Sequence, residues 1–576
     1  GVKSFNESFE QLMLTIEARR DAVVSGLPER ITLHRVDIES TVQRADKEKF
    51  VTRIWTKDAT LWKSDDEHKK IIADSLGWLG VAEEMQGKVQ ELVDFAESVR
   101  RDFAHVVVLG MGGSSLCAEV VRRVFGKRDG WPELLVLDST VPEAVGTLED
   151  RIDVARTLFI VASKSGTTTE PRMFHRYFYD RVRSVKGDRA GEHFIAITDP
   201  GTKLVDDAQR DRFRRVFLNR ADIGGRYSAL SHFGIVPMAL SGVDVATLLE
   251  RAAHAAHIAT SPSVRKNPAA LLGAAIGACA QQGRDKLTLI TPRPLDTLGL
   301  WVEQLVAEST GKEGKGIVPV AGEPPLAPNE YGDDRLFVSV RLRGSDDTAR
   351  LRELAGAGHP VIDYVIEDPL DLGEVFFVFE FATAVAGAIL GVDPFDQPNV
   401  QESKDNTRRL LDLFRETGSM TGKHDRPRPD DTDAVAKILA QVKPGDYVAL
   451  TEYFGETPAR DALIAKIRET LARELRVATT TGYGPRFLHS TGQLHKGGGD
   501  NGVFLQLTGG PPRAAMPIPG EPFGFGELVR AQAIGDYQSL ASRDRRMTSI
   551  DLGTDIDRGL QSLLETVKSA VANVKA

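Results

Sequence analysis

The feature that most constrains this chain is a recurring order of short apolar run, turn and helix. It occurs in "HVVVLGMGGSSLCAEVVRRVFG" at residues 105–126 and in "TLFIVASKSGTTTEP" at residues 157–171. Further apolar runs follow in "ELLVLDST", "HFIAITDP" and "RRVFLN". A chain in which strands alternate with helices places those strands in a parallel sheet that helices cover on both faces. The pattern therefore predicts an α/β, doubly wound fold.

The same order returns later in the chain. "KLTLITPRPLDTLGLWVEQLVAEST" at residues 286–310 and the runs "RLFVSVRL" and "PVIDYVI" indicate a second unit. "DYVALTEYF", "RVATTTGYG" and "GVFLQLTGG" indicate a further α/β part before a closing helix, after the Pro-rich, charged linker "TGKHDRPRPDDTDA". The sequence thus predicts two doubly wound domains with flanking helices and a C-terminal α/β extension. The predicted parts are a helix at 1–25, a helical region at 26–100, the domains 101–262 and 263–420, and an α/β and helical region at 421–576.

Composition limits the class of partner and the compartment. A chain of 576 residues exceeds a single hydrophobic core, and its net charge of −9 argues against a nucleic-acid or anionic-membrane partner. Two cysteines, Cys117 and Cys279, cannot form a disulfide framework, which favours a reducing cytoplasm. We find no signal peptide and expect no uninterrupted apolar stretch long enough to span a bilayer.

The turn after Ala162 is rich in hydroxyl groups. Ser163, Lys164, Ser165 and Gly166 lead into three threonines, and Pro171 suits the first turn of a helix. Several hydroxyls beside free backbone N–H groups at a helix start suit a phosphate. The alternative is a Ser/Thr-rich loop in which one residue caps the helix.

A second, glycine-rich turn before Leu116 ends a predicted strand and opens a helix. Gly110 and Gly112 begin a dinucleotide fingerprint, but Ser115 occupies its third glycine position, and Asp138 comes late for a ribose-binding acid. The alternatives are a tight turn with glycines for backbone reasons only, or a backbone cradle for a polar or anionic ligand. Because both turns are predicted on successive strands of one sheet, at the carboxyl ends where ligands bind, they favour a phosphorylated small molecule.

A carboxylate continues an apolar helix face in "GLWVEQLVAESTGKEGKG". Trp301, Gln304, Leu305 and Glu308 recur at helical spacing, so Glu308 is expected to be less solvated than Glu303. Loss of solvent raises the pKa of a carboxylate and makes it a better base near neutrality. The alternative is that Glu308 is merely the last polar turn of an amphipathic helix.

Five motifs in consistent spacing resemble the phosphoglucose isomerases, which are members of the sugar-isomerase (SIS) domain proteins. They are "GMGGSSL", "SKSGTTTE", "GGRYSALSHFG", "QLVAESTGKEGKG" and "GVDPFDQPNVQESK". The resemblance implies two SIS-type domains. It also implies reversible conversion of glucose 6-phosphate to fructose 6-phosphate through a cis-enediol, a step of glycolysis and gluconeogenesis, with no metal or other cofactor and with a homodimer as one form of assembly.

The resemblance also assigns roles to residues. Ser163, Ser165 and Thr168 would hold the phosphate with Lys164 beside them, and Gly113, Ser114, Gln304 and Gln397 would line the sugar. Glu308 would be the base and Arg226 would stabilise the oxyanion. Lys404 and His489, the latter in "RFLHSTGQLHKGG", would open the ring, with His495 as a competing histidine.

The order of the motifs departs from that of stand-alone family members, because Lys404 precedes His489 and the segment "GFGELVRAQAIGDYQSLASRDRRMTSIDL" follows both. This order resembles the isomerase half of transaldolase/phosphoglucose-isomerase fusions, and "GVKSFNESFEQLM" resembles the last helix of bacterial transaldolases. The resemblance implies that 1–25 is the end of a fused transaldolase.

Three alternatives stay open at the level of sequence. A non-catalytic sugar-phosphate sensor would need the hydroxyl turn but no base. An isomerase of a different sugar phosphate would share every motif, and an NAD-dependent oxidoreductase would use the turn at 110–115.

Overall fold

The computed structural model describes residues 26–345, 347–420, 426–510 and 516–575, together with Met13, Ile16, Arg20 and Val23. Most of the helix predicted at 1–25, with its transaldolase resemblance, and residues 421–425 of the predicted linker lie outside this part of the chain.

The strands of the described chain form three sheets. In chain order they are β1 (Ile31–His34), β2 (His105–Leu109), β3 (Glu133–Leu137), β4 (Thr157–Ala162), β5 (Phe194–Thr198), β6 (Arg215–Leu218), β7 (Lys286–Ile290), β8 (Val318–Val320), β9 (Arg335–Leu342), β10 (Val361–Ile366), β11 (Tyr447–Tyr453), β12 (Ala478–Tyr483), β13 (Gly502–Thr508) and β14 (Arg546–Asp551).

All three sheets are essentially parallel. The first has the order β3-β2-β4-β5-β6, the second β1-β10-β9-β7-β8, and the third β12-β11-β13-β14. Only β1 runs antiparallel to its neighbour, β10, among the strand pairs of the described residues. The predicted α/β class with parallel sheets is confirmed.

Helices connect and cover the strands. Their bounds are Leu27–Arg30, Glu39–Lys47, Phe50–Trp55, Asp66–Ala73, Val81–Gln86, Val89–Asp102, Leu116–Phe125, Pro142–Arg151, Thr169–Lys186, Lys203–Arg210, His232–Leu240, Val245–Ile258, Pro268–Gln281, Leu298–Thr310, Thr348–Gly356, Leu372–Leu390, Val400–Thr417, Thr432–Leu439, Pro458–Leu475, Gly492–Gly497, Phe525–Ala541 and Ile556–Lys575.

One helical segment has the length and apolar composition of a membrane span, although Glu374 and Glu380 interrupt its apolar run. Residues 369–390 form a helical segment that is long and apolar enough, by length and composition, to cross a membrane. All of its apolar window is buried inside the protein, where the helix packs against Pro268–Gln281 and Val245–Ile258. Its composition is explained by burial on every side, which is typical of the central helix of a large core.

The first sheet brings the two predicted ligand turns together. Strand β2 pairs with β4 in parallel, with Leu109 opposite Val161, so both strands end at the same edge. Strand β3 lies on the other side of β2, and the chain therefore reverses its winding between β2 and β4. The glycine turn and the hydroxyl turn consequently lie side by side at the switch point, where doubly wound sheets bind ligands.

The third sheet packs against the second and against the helix that carries Glu308. Ala307 of that helix shares a buried cluster with Val318 and Val320 of β8 and with Tyr447 and Ala449 of β11. The helix Leu298–Thr310 is therefore covered on both sides. This packing on both sides explains why even its polar residues Glu303, Gln304 and Glu308 are buried.

Candidate active site

Glu308 lies in a pocket of polar side chains at the end of its helix. Its side chain is only 10% exposed, and Nη1 of Arg226 lies 3.4 Å from its Oε1. Nε2 of Gln304, one turn earlier, donates to Oε2 of Glu308 at 3.0 Å and to the carbonyl of His489 at 2.7 Å. A carboxylate, an arginine and a glutamine thus share one small volume, as the helical spacing and the resemblance had predicted.

Arg226 is fixed by an unusually complete set of acceptors. Its Nε donates to Ser309 at 2.8 Å, its Nη1 to Oε1 of Gln397 at 2.8 Å, and its Nη2 to the carbonyls of Pro394 and Asp396 at 2.7 and 2.8 Å. The residue is 2% exposed. Because each nitrogen of its guanidinium group donates a hydrogen bond, its positive charge stays at one place beside Glu308.

The glycine turn allows close approach of three backbone segments. Gly112 has φ +53°, and a Cβ there would lie 2.7 Å from the carbonyl oxygen of His489 and 2.8 Å from Nε2 of Gln304. A Cβ on Gly113 would lie 1.9 Å from the carbonyl oxygen of Gly225. These glycines therefore let the turn reach Gln304, the His489 segment and the segment that carries Arg226, and Ser114, which is 9% exposed, lies in the same turn.

His489 faces a carboxylate that the resemblance did not assign to the site. Its Nε2 lies 3.1 Å from Oε1 of Glu170, which also accepts a hydrogen bond of 2.7 Å from Nε2 of Gln532. Oγ1 of Thr140 in turn donates to Oε1 of Gln532 at 2.6 Å. Burial alone would raise the pKa of Glu170, yet its pKa lies below the ordinary value because His489 and Lys404 favour the carboxylate form.

The hydroxyl turn is held in a compact form. Oγ of Ser163 donates to Oγ1 of Thr168 at 3.0 Å, and the hydroxyls of Ser165 and Thr167 are 2.9 Å apart. Gly166 has φ +65°, a left-handed conformation that L side chains rarely adopt. Nζ of Lys164 pairs with Asp199 and donates to the carbonyl of Ala221 at 2.8 Å. The lysine therefore ties the turn to the segments that carry these two residues.

A cavity of about 330 Å³ opens beside this turn. Thr168, Glu170, Lys404 and His489 all line it, and Lys404 comes from the helix Val400–Thr417. The structure therefore brings a residue of the hydroxyl turn together with both predicted ring-opening groups. Gln304 contacts the carbonyl of His489, and it is connected in turn to Glu308, Arg226 and Gln397.

One expectation drawn from the sequence is corrected by the structure. Glu303 is 7% and Glu308 8% exposed, so the helix does not leave Glu303 better solvated. The third sheet covers the opposite helix face, and burial raises the pKa of Glu303 to about 8, with Arg468 opposing this effect.

Asp138 and His495 are both occupied elsewhere. Asp138 binds Arg486 through two hydrogen bonds of 2.9 Å, so the acid considered for a ribose serves an ion pair. The ring of His495 packs on Phe504 with 4.9 Å between ring centroids, and burial lowers its pKa to about 3. His489, which lines the cavity, is therefore the histidine at the site.

Sequence reasoning missed Glu170 and Gln532. Glu170 lies inside the motif "SKSGTTTE", where its position directly after the hydroxyls was the available signal. Gln532 lies on the helix Phe525–Ala541, and its contact with Glu170 depends on the tertiary fold.

The fold and this site define a class of protein, the aldose–ketose isomerases built on sugar-isomerase domains. Residues 65–318 match the family model described as phosphoglucose isomerase. This part of the chain is similar to the phosphoglucose isomerase family.

Curated relatives show the same similarity over more of the chain. The chain is 29% identical over 426 residues to a glucose-6-phosphate isomerase of Leptospira interrogans serogroup Icterohaemorrhagiae serovar Lai, covering 65% of this chain and 94% of the relative. It is 29% identical to one from Symbiobacterium thermophilum, covering 58% and 86%.

Two solved structures share the fold. A hypothetical protein from Thermus thermophilus has a TM-score of 0.55 at 23% identity, covering 66% of this chain and 99% of that one. A glucose-6-phosphate isomerase from Chlamydia trachomatis has a TM-score of 0.50 at 21% identity, covering 64% and 78%.

Proposed function

We propose that this protein interconverts D-glucose 6-phosphate and D-fructose 6-phosphate, with Glu308 as the base. The observation that carries the proposal is the position of Glu308, bound by Gln304 and paired with Arg226 next to the carbonyl of His489. The substrate follows the names of the curated relatives, which are glucose-6-phosphate isomerases.

The phosphate is held by the hydroxyl turn. Ser163, Ser165 and Thr168 offer donors beside the start of the helix Thr169–Lys186, where backbone N–H groups and the helix dipole favour an anion. Binding energy from this end of the sugar phosphate then orients the reacting carbons, which lie far from the phosphate.

His489 and Lys404 act on the closed ring. One group takes the proton from the hydroxyl on C1 while the other gives a proton to the ring oxygen, so the C1–O5 bond breaks and the aldehyde forms. An ionised Glu170 can accept hydrogen bonds but cannot donate one. Nε2 of His489 therefore carries the hydrogen of that bond, and Nδ1 remains for the substrate.

Glu308 then performs the isomerisation. It takes the proton from C2, which gives a cis-enediol, and it returns that proton to C1, while the hydroxyl proton moves from O2 to O1. The fixed charge of Arg226 stabilises the negative charge that develops on the oxygens. Gln304 holds the carboxylate in the orientation that the transfer needs.

The test compares two variants of one helix in an assay of fructose 6-phosphate formation. We expect Glu308→Gln to lower kcat by about 1,000-fold, within the range that general base catalysis contributes, with substrate binding nearly unchanged. Glu303→Gln is the matched control, because a carboxyl with a pKa of about 8 is mostly protonated at pH 7 and glutamine resembles that form.

Full activity in Glu308→Gln would show that Glu308 is not the base. Wild-type protein that binds glucose 6-phosphate without turnover would instead identify a sensor, and preferred turnover of mannose 6-phosphate would identify a different substrate. The transaldolase fusion, a homodimer and a cytoplasmic location remain predictions.

A further inference from the structure

A second polar cluster lies behind the site, on the far side of the loop that holds Arg226. His68 comes from the helix Asp66–Ala73, and Asp393 and Asp396 come from the loop after the helix Leu372–Leu390. One potential ligand atom from each residue lies within 4.8 Å of the other two. Only the fold brings His68 together with the two aspartates, because they lie more than 300 residues apart in the sequence.

Asp393 is the observation that points to a ligand. It is fully buried, at 0% exposure, and its Oδ1 accepts a hydrogen bond of 2.8 Å from the backbone N–H of Phe395. Within the described part of the chain, no group donates a hydrogen bond to Oδ2. A buried carboxylate oxygen without a partner is costly, and it calls for a proton or a cation.

His68 is arranged as a metal ligand would be. Its Nδ1 lies 2.8 Å from Oδ1 of Asp65, which leaves Nε2 directed at Oδ2 of Asp396 at 3.6 Å. That separation exceeds a hydrogen bond, but it is close to the ~3.3 Å between two ligands on one tetrahedral zinc ion. A carboxylate on the outer nitrogen of a ligating histidine is the usual supporting group of such sites.

Lys312 is the cation that competes for these carboxylates. Its Nζ lies 2.5 Å from Oδ1 of Asp396 and donates to the carbonyls of Asp393 and Asp396 at 2.6 and 2.7 Å. It therefore satisfies one oxygen of Asp396. The other oxygen, Oδ2, is left for His68, and Oδ2 of Asp393 gains no hydrogen bond from the lysine.

We propose that His68, Asp393 and Asp396 bind one divalent first-row transition-metal ion, such as Zn²⁺ or Mn²⁺. An imidazole nitrogen with two carboxylate oxygens suits these ions, whereas Mg²⁺ and Ca²⁺ prefer oxygen ligands throughout. The two carboxylates offset part of the positive charge of the ion and of Lys312.

The ion takes no part in the proposed isomerisation. It ties the helix Asp66–Ala73 to the loop whose carbonyls, at Pro394 and Asp396, hold Arg226. The bound ion would therefore stabilise the position of the loop that accepts the hydrogen bonds of Arg226.

The test titrates the EDTA-treated full chain with Co²⁺ and follows its visible absorption and calorimetric binding. We expect one ion per wild-type chain, with the spectrum of a nitrogen- and oxygen-ligated site. His68→Ala should abolish this binding, and Asp65→Asn, which removes the supporting carboxylate, should weaken it by about 10- to 100-fold.

Asp66→Asn is the matched control, because the neighbouring side chain is 98% exposed and should leave the affinity unchanged. Circular dichroism verifies that each variant is folded, and Zn²⁺ should raise Tm in wild type and Asp66→Asn but not in His68→Ala. Either no saturable binding to wild type or equal affinity in His68→Ala would overturn the proposal.

Discussion

Among the individual residues, Glu170 connects parts of the site that are far apart in the sequence. It accepts hydrogen bonds from His489, which belongs to the third-sheet region, and from Gln532, which binds Thr140 after β3. Glu170, which follows the hydroxyl turn, thereby also orients His489. In the proposed mechanism, binding of the phosphate and ring opening at C1 would therefore depend on one carboxylate.

Glu170→Gln is expected to lower kcat for glucose 6-phosphate by about 10- to 100-fold. The amide is uncharged and can turn a donor toward Nε2, so the histidine loses the acceptor that fixes its orientation. Steady-state kinetics should show the loss in kcat, with KM changed by less than about threefold. Glu149→Gln, which removes a carboxyl that binds Tyr177, is the control. An unchanged kcat in Glu170→Gln would contradict the assigned role.

At the level of structural elements, the short 3₁₀ helix Arg486–His489 connects the third sheet to the first. Its first residue binds Asp138 at the end of β3 through two hydrogen bonds of 2.9 Å, and Asp138 is 3% exposed. Its last residue is the histidine of the site. A bidentate buried ion pair therefore sets where His489 lies relative to the glycine turn.

Arg486→Met should lower the free energy of unfolding by about 3 kcal/mol, because it leaves Asp138 buried without its partner. It should also lower kcat at least about 10-fold, since His489 loses its anchor. Arg473→Met is the control, because that arginine pairs with Glu330 and Glu469 at a more exposed position, and exposed pairs contribute below about 1 kcal/mol. Urea unfolding and steady-state kinetics measure both effects. Equal losses in the two variants would contradict the anchoring role.

At the scale of the whole molecule, two buried acids, Glu303 and Glu452, lie where the second and third sheets meet. Burial raises the pKa of Glu303 and of Glu452 to about 8 in each case. Arg468, which donates to the carbonyls of Ala321 and Thr479 at 3.0 and 2.7 Å, lies between the sheets. The raised pKa keeps both acids mostly protonated in the folded protein at pH 7, whereas they are ionised in the unfolded chain.

These acids predict a pH dependence of stability. A carboxyl with a raised pKa binds its proton more tightly in the folded state, so the free energy of unfolding falls as pH rises from about 4.5 to about 8. Each acid contributes up to about 1.4 kcal/mol per pH unit. Glu303→Gln and Glu452→Gln should each make the fall less steep in urea unfolding between pH 5 and pH 8. Variants with the wild-type slope would show that these carboxyls are not held neutral.

The sequence predicted the fold where apolar runs were long and bounded by turn residues. Every residue of β4 is buried, and it was predicted. Strand β14 was missed because its first three residues are half-buried and polar residues interrupt the run, and β1 was missed inside a region expected to be helical. Strand β8 was missed because it has only three residues, too few to give a recognisable apolar run.

The site was predictable where its residues lie in local motifs and unpredictable where they meet through the tertiary fold. Gln304 and Glu308 share a helix face, so their contact follows from spacing. The contacts of Glu170 with Gln532 and of His68 with Asp396 join residues on separate elements, and no local pattern encodes them. The burial of Glu303 likewise depends on a sheet formed by the last part of the chain.

The central claim is that Glu308 moves the proton between C2 and C1. Its most direct test is proton NMR of glucose 6-phosphate incubated with enzyme in D₂O, which follows deuterium entering the carbon-bound positions of both sugar phosphates. The account predicts incorporation with wild type and with Glu303→Gln, and a rate lower by about 1,000-fold with Glu308→Gln. Incorporation at the wild-type rate with Glu308→Gln would contradict it.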